Sequence, residues 1–280
     1  MNEDIKKSLK PNKRLGQHFL VNQNIIARII EKAGLEKSDN VLEIGPGKGA
    51  LTIPMAHAVN SIIAVEKDDH LANYLRQKLE ERNINNVTVI NDDILKTDLE
   101  KLVSSRNSKL KVVGNLPYNI SSPLLEKLIS NKRFFNKAFL MLQYEFARRL
   151  ASDPGNKDYG AITVMTRYEA NISRLFKVGR DVFYPKPKVG SMVIAIDLEV
   201  PHPVRAKNDR VFELVVRGAF AQRRKTIKNS LKVISNHFRT DQISEALEIC
   251  NIDPLRRAET LSLDEFINLS DTLSERYSVV

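Results

Sequence analysis

The stretch VLEIGPGKGA, residues 41–50, decides the fold of this 280-residue chain. Its first four residues form a largely apolar run of the length of a buried strand, and Gly45, Gly47 and Gly49 follow directly. Glycines there allow a tight turn and let a ligand approach backbone N–H groups at the start of the next helix. A strand, a glycine loop and a helix in this order are typical of open α/β sheets that bind a nucleotide-like cofactor.

Acidic residues near the loop bear on which cofactor it binds. The first two glycines with Ala50 satisfy the dinucleotide fingerprint, whereas the three glycines after Glu43 satisfy the E-x-G-x-G-x-G loop of S-adenosylmethionine (SAM) binders. Glu66 closes the next apolar run, and a carboxylate there accepts ribose hydroxyl groups under either interpretation. Glu43 places a negative charge at the mouth of the loop, and a third acidic site follows at Asp92-Asp93. These charges favour SAM over NAD.

Apolar runs recur at roughly regular spacing along the first half of the chain. The spacing leaves room for a crossover helix between parallel strands, and Leu71, Leu75 and Leu79 recur every fourth residue as in an amphipathic helix. The pattern predicts a doubly wound α/β sheet with helices on both faces. The predicted strands are residues 41–44, 62–65, 87–90, 111–114 and 138–141.

The composition changes after about residue 197. Pro201 and Pro203 hold the chain extended, which predicts a linker, and only helical patterns follow. Ser262 and Glu265 fit a capping box at the start of a last helix. We therefore predict a first domain over residues 1–199 and a small all-helical domain over residues 200–280.

Overall composition excludes several classes of protein. The chain is 42% hydrophobic and 28% charged, as expected of a folded domain, and no apolar run reaches the roughly 18 residues of a membrane span. The polar, Lys-rich N-terminus does not fit a secretory signal. Cys250 is the single cysteine, so no internal disulfide or thiolate metal cluster is expected, which fits a cytoplasmic protein. The net charge of +10 suggests a polyanionic partner.

The tetrapeptide Asn115-Leu116-Pro117-Tyr118 follows the fourth predicted strand, at the carboxyl edge where open α/β sheets bind ligands. It fits a plain turn, and it also fits the methylation of an exocyclic adenine amine, which is a poor nucleophile. The side-chain oxygen of Asn115 and the carbonyl of Leu116 can accept the two N–H groups of that amine. Tyr118 offers a ring on which the base can stack.

Four segments, in the same order, resemble the KsgA-type family of small-subunit ribosomal RNA adenine dimethyltransferases. They are RLGQHFL at 14–20, NLPYNISSP at 115–123, FYPKPKVGS at 183–191 and AQRRKT at 221–226. The resemblance covers nearly the whole chain, although position 18 is often Asn in bacterial members. Residues 143–147 and 184–188 look more like archaeal members.

The resemblance implies a Rossmann-like class I SAM-dependent methyltransferase domain, with residues 1–20 over the cofactor pocket, followed by a helical RNA-recognition domain. It implies a monomeric, cytoplasmic enzyme that dimethylates two adjacent adenosines near the 3′ end of small-subunit (16S) rRNA, in the rRNA or pre-30S subunit, during ribosome biogenesis. The implied catalytic residues are Asn115, Leu116, Tyr118 and Phe183. The implied cofactor contacts are His18, Leu20, Gly45, Glu66, Asp93 and Asn115.

The positive charge is uneven along the chain. Residues 111–196 carry 14 Lys and Arg against 6 Asp and Glu, whereas residues 41–110 carry 9 against 10. The nearly neutral range 41–110 suits a cationic cofactor, and the basic range 111–196 suits RNA phosphates. The predicted RNA-binding residues are Arg148, Lys186, Arg223, Arg224, Lys225 and Lys228.

Three other functions are consistent with parts of the sequence. The erythromycin-resistance class does the same chemistry on large-subunit rRNA, but Leu116 and the ISSP continuation argue against it. A ribosome-assembly factor that acts mainly by binding the small subunit is a further alternative, although Asn115, Glu66 and the glycine loop are intact. A dinucleotide oxidoreductase lacks a proton-transfer set after the later strands, and no metal cluster is visible.

Overall fold

The computed structural model describes residues 11–12, 15–103 and 108–277. These residues divide into two compact units. The first unit contains the described chain up to Ala147 together with Ile172–Glu199, and the second contains Arg148–Asn171 together with the described chain from Val200 onward.

The segment Arg148–Asn171 is where the units differ from the predicted boundary at 199/200, which assigns it to the first domain. Tyr159, Val164 and Tyr168 are buried in the same apolar cluster as Phe212 of the C-terminal region. The rings of Tyr168 and Phe212 stack with centroids 4.2 Å apart. The segment carries no linker signal, so its membership depends on long-range packing that the local sequence does not record.

The first unit is built on a mixed sheet of seven strands in the order β4-β3-β2-β5-β6-β9-β7, and β1 pairs with β8 in a separate antiparallel ribbon. The strands from β2 to β6 are parallel to their neighbours, and β9 is antiparallel to β6. The strands are β1 (Phe19–Leu20), β2 (Asn40–Ile44), β3 (Ser61–Glu66), β4 (Val87–Asn91), β5 (Leu110–Asn115), β6 (Phe135–Gln143), β7 (Asn171–Val178), β8 (Phe183–Tyr184) and β9 (Ser191–Asp197).

The predicted α/β sheet is confirmed, and all five predicted strands are present. Four strands were not predicted. Strands β1 and β8 have two residues each, which is too short to show a pattern. Strand β7 has no continuous apolar run because most of its side chains are exposed or half-buried. Strand β9 pairs antiparallel with β6, so it needs no crossover helix and does not follow the spacing of the parallel strands.

Helix ends follow the capping residues of the sequence. Asn22 accepts the N–H of Ile25 at the start of the first helix, which ends at Gly34 in the left-handed conformation. The predicted capping box of Ser262 and Glu265 begins the last helix. The helices are α1 (Gln23–Ala33), α2 (Thr52–Ala56), α3 (Asp69–Glu80), α4 (Leu99–Val103), α5 (Ser121–Ser130), α6 (Tyr144–Leu150), α7 (Ala161–Glu169), α8 (Asp209–Phe220), α9 (Ile227–Ser230), α10 (Thr240–Ile249) and α11 (Leu263–Arg276).

The helices of the described residues are too short or too polar to cross a membrane. Those of the second unit bury a common apolar core, whose members include Phe212, Ile227, Leu247 and Phe266. In the first unit, α1 buries Ile26 and related side chains in a cluster with residues of the central strands. Each unit therefore has a hydrophobic core of its own.

The chain reverses its winding direction between β2 and β5. It moves outward through β3 and β4 on one side of β2, and through β5 and β6 on the other. Loops after β2 and β5 therefore diverge and leave a crevice at the carboxyl ends of these strands. Gly114 allows the ends of β2 and β5 to lie close together, because a Cβ there would lie 3.0 Å from the carbonyl oxygen of Ile44 and 2.9 Å from Leu116 Cδ2.

We predict that Gly114→Ala lowers the free energy of unfolding by about 1–3 kcal/mol, because the added methyl forces β2 and β5 apart. Gly179→Ala is the matched control, since a Cβ at Gly179 meets nothing within 4 Å. Urea unfolding followed by circular dichroism measures both variants. Equal stability of the two variants would contradict the assigned strand contact.

Candidate active site

The carboxyl ends of β2 to β5 line a cavity of about 410 Å³ in the first unit. Cavities of this size commonly bind small molecules and cofactors. Every residue predicted to bind the cofactor or the target base lines it. These residues are His18, Leu20, Gly45, Glu66, Asp93, Asn115, Leu116, Tyr118 and Phe183.

The glycine loop has the backbone conformation that only glycine adopts readily. Gly45 and Gly47 have φ angles of 67° and 56°, and the N–H of Gly45 donates to the carbonyl of Val65. A Cβ on Gly47 would lie 3.3 Å from Phe19 Cδ1. The loop therefore turns tightly after β2 and keeps its backbone open to the cavity.

Glu66 is held in place at the end of β3. Its Oε2 accepts the N–H of Gly47 at 3.0 Å and its Oε1 accepts the N–H of Asp68 at 2.9 Å. Burial raises the pKa of this carboxyl, against the lowering effect of those two hydrogen bonds. Each oxygen keeps a further lone pair, so the group can accept the two hydroxyls of a ribose.

Glu43 lies deeper than the sequence suggests. The side chain is 1% exposed, and burial raises its pKa to about 8, with a smaller lowering from Thr52 and a further rise from Glu66. Although Thr52 is near, no contact to Glu43 Oε2 meets hydrogen-bond geometry. The expectation of a negative charge at the mouth of the loop is therefore wrong, because this carboxyl is buried and largely protonated at pH 7.

The two aspartates after β4 have different surroundings. Both side-chain oxygens of Asp92 are used within the loop, by Thr97 Oγ1 at 2.7 Å and by the N–H of Asp93 at 2.7 Å. Asp93 accepts the N–H of Leu95 at 3.0 Å and pairs with Lys67 at 2.8 Å, and the hydrogen bond from Lys67 lowers its pKa. Asp93, whose lowered pKa favours the ionised form, lines the cavity together with Asp92 and Ile94.

Asn115 has a fixed amide orientation at the end of β5. Its Nδ2 donates to the carbonyl oxygen of His18 at 3.0 Å. A carbonyl can only accept, so the nitrogen must face it and Oδ1 must take the other side. No donor among the described residues reaches that Oδ1 or the carbonyl of Leu116, whose own N–H donates to Met141. Two acceptors on consecutive residues, both of which line the cavity, are therefore available to a bound amine.

Tyr118 and His18 lie on the same wall of the cavity. The Tyr118 hydroxyl is 3.1 Å from Ser191 Oγ, and its ring stacks on that of His18 with centroids 6.1 Å apart. His18 Nδ1 contacts the carbonyl of Pro185 at 2.6 Å. Ser191 ends the FYPKPKVGS segment, and no role was predicted for it; in the structure Ser191 restrains the Tyr118 ring.

The ribbon of β1 and β8 closes another wall. Leu20 pairs with Phe183 and Phe19 pairs with Tyr184, so two of the family-like segments meet here. Phe183 is 5% exposed and lies in the apolar cluster of the first unit, while also lining the cavity. Arg14, the first residue of the RLGQHFL segment, lies outside the described residues.

The predicted RNA-binding residues differ in how they are paired. Arg148 pairs with Asp158 at 2.8 Å, and Lys186 pairs with Asp181. Arg223 donates to the carbonyls of Lys157 and Tyr159 at 2.8 and 2.9 Å, a structural role that the sequence did not suggest. Among the described residues, no acid or carbonyl is bound by the side chains of Arg224, Lys225 and Lys228.

Comparison with known proteins bears on this site. The family described as ribosomal RNA adenine dimethylase matches residues 8–275. Proteins named ribosomal RNA small subunit methyltransferase A from Desulforapulum autotrophicum and Geobacter metallireducens are each 42% identical, over 96% and 94% of this chain and 94% and 95% of their own length. Both are bacterial, and the archaeal-like segments 143–147 and 184–188 stay a prediction.

Solved structures agree with this assignment. A dimethyladenosine transferase from Plasmodium falciparum is 26% identical, covers 90% of this chain and 95% of its own, and has a TM-score of 0.75. The 23S rRNA methyltransferase ErmE is 27% identical, covers 92% and 100%, and has a TM-score of 0.69. The fold is that of a class I SAM-dependent methyltransferase, and the chain belongs to the ribosomal RNA adenine dimethylase family.

Proposed function

We propose that this protein uses SAM to dimethylate the exocyclic amines of two adjacent adenosines near the 3′ end of small-subunit (16S) rRNA. One observation carries the proposal: Asn115 donates an amide N–H to the His18 carbonyl, which leaves its Oδ1 available to an amine together with the carbonyl of the following residue, Leu116. Beside a cofactor cavity, such a pair of acceptors fits an exocyclic amine better than any other group on the edge of a base.

The cavity fits SAM in its donor set and its shape. Gly47 leaves space that a Cβ would fill, Glu66 presents a fixed carboxylate for the ribose, and Asp93 is an ionised acceptor for the adenine amine of the cofactor. Leu20 lines the same cavity from β1, and His18 lines it from the position just before β1. When bound, SAM supplies an electrophilic methyl group on a positively charged sulfur.

The residues of the tetrapeptide act on the nucleophile. Oδ1 of Asn115 and the carbonyl of Leu116 accept the two N–H groups of the target amine, which draws its lone pair out of conjugation with the ring. With SAM bound, the amine nitrogen would take the methyl group, the C–S electron pair would stay on the sulfur of S-adenosylhomocysteine, and the nitrogen would then lose a proton to water. No strong base is needed, so positioning supplies most of the rate. The monomethylated amine keeps one N–H, which one of the two acceptors holds during the second transfer.

Tyr118 and Phe183 complete the base site. Tyr118 is restrained by Ser191 and His18, so its ring can stack on a flipped-out base at low entropic cost. Phe183 lines the same cavity from the ribbon wall, and we propose that its ring covers the other face of that base. Cations for the RNA phosphates come from Arg224, Lys225 and Lys228. Arg148 and Lys186 add to them once RNA displaces their acidic partners, and Arg223 positions the basic run.

Small-subunit rRNA is favoured over large-subunit rRNA by the relatives named for that activity, at 42% identity. We further propose that the substrate is a pre-30S particle, that the enzyme is a monomer and that it acts in the cytoplasm. The sequence predicts a catalytic domain at 1–199 and an RNA-recognition domain at 200–280. Because residues 148–171 belong to the second compact unit, we assign them to the RNA-recognition domain.

The proposed function is tested by incubating the protein and tritiated SAM with undermethylated small subunits. Digestion of the RNA should release labelled dimethyladenosine from the small-subunit RNA. Large subunits are the control substrate. Label in large-subunit RNA alone, or no label in either RNA, would show that the proposal is wrong.

Asn115→Ala should lower kcat by roughly 10²–10³-fold, because it removes an acceptor used mainly in the transition state. The dissociation constant of SAM, measured by calorimetry, should change much less. Glu66→Gln is the reciprocal variant and should weaken SAM binding more than it lowers kcat at saturating SAM. Equal losses in binding and turnover for Asn115→Ala would make it a cofactor-binding residue instead.

Glu43 predicts a pH dependence of cofactor binding. Its pKa of about 8 means that the protein alone holds this proton below pH 8, and a cation bound nearby lowers a carboxyl pKa. Binding of SAM therefore releases the proton, so SAM affinity rises as pH increases towards 8 and levels off above it.

The affinity ratio of SAM to S-adenosylhomocysteine isolates this effect, because the product lacks the sulfonium charge but keeps the amine. From pH 6.5 to 8 the ratio should rise roughly three- to tenfold in the wild type and stay level in Glu43→Gln. A rise of the same size in both proteins would exclude Glu43 as its source.

A further inference from the structure

Leu255 is the most exposed large apolar residue of the described chain, at 75% exposed. Single exposed apolar residues are common on protein surfaces and need no function. Leu255 differs from such residues in two respects, namely the rigidity of the loop that carries it and the charges that flank it.

The loop that carries Leu255 is held by a dense set of hydrogen bonds. Asp253 Oδ1 accepts the N–H of Leu255 at 2.9 Å, and the Asp253 carbonyl accepts the N–H of Arg256 at 3.1 Å. The Arg256 guanidinium donates to the carbonyl of Thr260 at 2.6 Å and to the carboxylate of Glu265. Leu255 is therefore displayed in a fixed position, so that little conformational entropy is lost if it binds a partner.

Backbone contacts fix this loop beside the start of helix α9. The N–H of Ile227 donates to the carbonyl of Arg256 at 2.6 Å, and the N–H of Lys228 lies 3.4 Å from the carbonyl of Pro254. Leu255 thus lies next to the chain segment that follows Arg224 and Lys225. Both segments belong to the second unit.

The cations that flank Leu255 are not neutralised within the protein. Arg224, Lys225, Lys228 and Arg257 form no ion pair with any acid of the described chain. By contrast, Arg256 is engaged by Glu265 and Arg223 by two carbonyls. The cations that bind groups within the protein therefore differ from those that do not. In the second group, Arg257 lies two residues after Leu255, and the backbone N–H of Lys228 lies beside the carbonyl of Pro254.

We propose that Leu255, with Arg224, Lys225, Lys228 and Arg257, forms an RNA contact on the helical unit in which the leucine packs on an unstacked base. The four cations bind the phosphates on either side. Apolar side chains inserted at base steps are a known way to read nucleic-acid shape, and bulges and loops of RNA offer unstacked faces. This inference rests on the proposed function, since it takes small-subunit rRNA as the partner.

Binding of undermethylated small subunits, measured by filter binding at several KCl concentrations, tests the contact. Leu255→Ala should weaken binding roughly tenfold at each salt concentration, as for the loss of one base contact, and should leave the salt dependence unchanged. Lys225→Ala should instead reduce the slope of log K against log salt by about one. Ile249→Ala, which truncates another exposed aliphatic residue of the same unit at 41% exposure, is the matched control.

The outcomes separate this inference from the proposed function. Thermal melting and SAM affinity of Leu255→Ala should equal those of the wild type, since three quarters of the residue is exposed to solvent. If the wild type methylates small subunits but Leu255→Ala binds them as tightly as Ile249→Ala does, the RNA contact is wrong and the proposed function stands. Loss of binding to anionic phosphatidylglycerol vesicles, with RNA binding unchanged, would also overturn it and assign the surface to a membrane.

Discussion

Close contact between the ends of β2 and β5 is the constraint on which the rest of the site depends. Ile44 and Gly114 lie opposite each other in parallel register, and the missing side chain at 114 lets the two backbones approach. A Cβ at Gly45 would in turn lie 3.9 Å from the carbonyl oxygen of Asn115. The cofactor loop and the amine-binding tetrapeptide therefore start from one close contact and diverge from it, which lets a methyl donor and a methyl acceptor share one cavity.

Burial and ion pairing set the pKa values of the acids in the site. Glu43 and Glu66 both have raised pKa values because they are buried, whereas Asp93 has a lowered pKa because Lys67 pairs with it. An acid that is neutral in the free protein and ionised beside a cation avoids the cost of an unpaired buried charge. This explains how a cavity can suit a cationic cofactor and remain stable when the cofactor leaves.

The sequence predicted the parallel strands, the glycine loop, the capping box and the residues around the cavity, because each has a local pattern of apolar spacing or of turn residues. Contacts between distant segments were not predictable in the same way. Nothing near Asn115 indicates that its amide nitrogen binds the carbonyl of His18, and nothing near residues 148–171 shows that Tyr159 and Tyr168 belong to the helical core. The depth of Glu43 was also missed, because a glutamate after two apolar residues gives no measure of its burial.

In the proposed mechanism, Asn115 presents Oδ1 to the target amine while its nitrogen stays on the His18 carbonyl. A crystal structure of the protein with S-adenosylhomocysteine and an adenosine-containing RNA fragment tests it directly. We expect the N6 nitrogen of a flipped-out adenosine within about 3 Å of Asn115 Oδ1 and of the Leu116 carbonyl oxygen, with the His18 contact unchanged. An adenosine whose N6 is bound elsewhere, or an Asn115 amide turned away from His18, would show that Asn115 does not bind the target amine in this way.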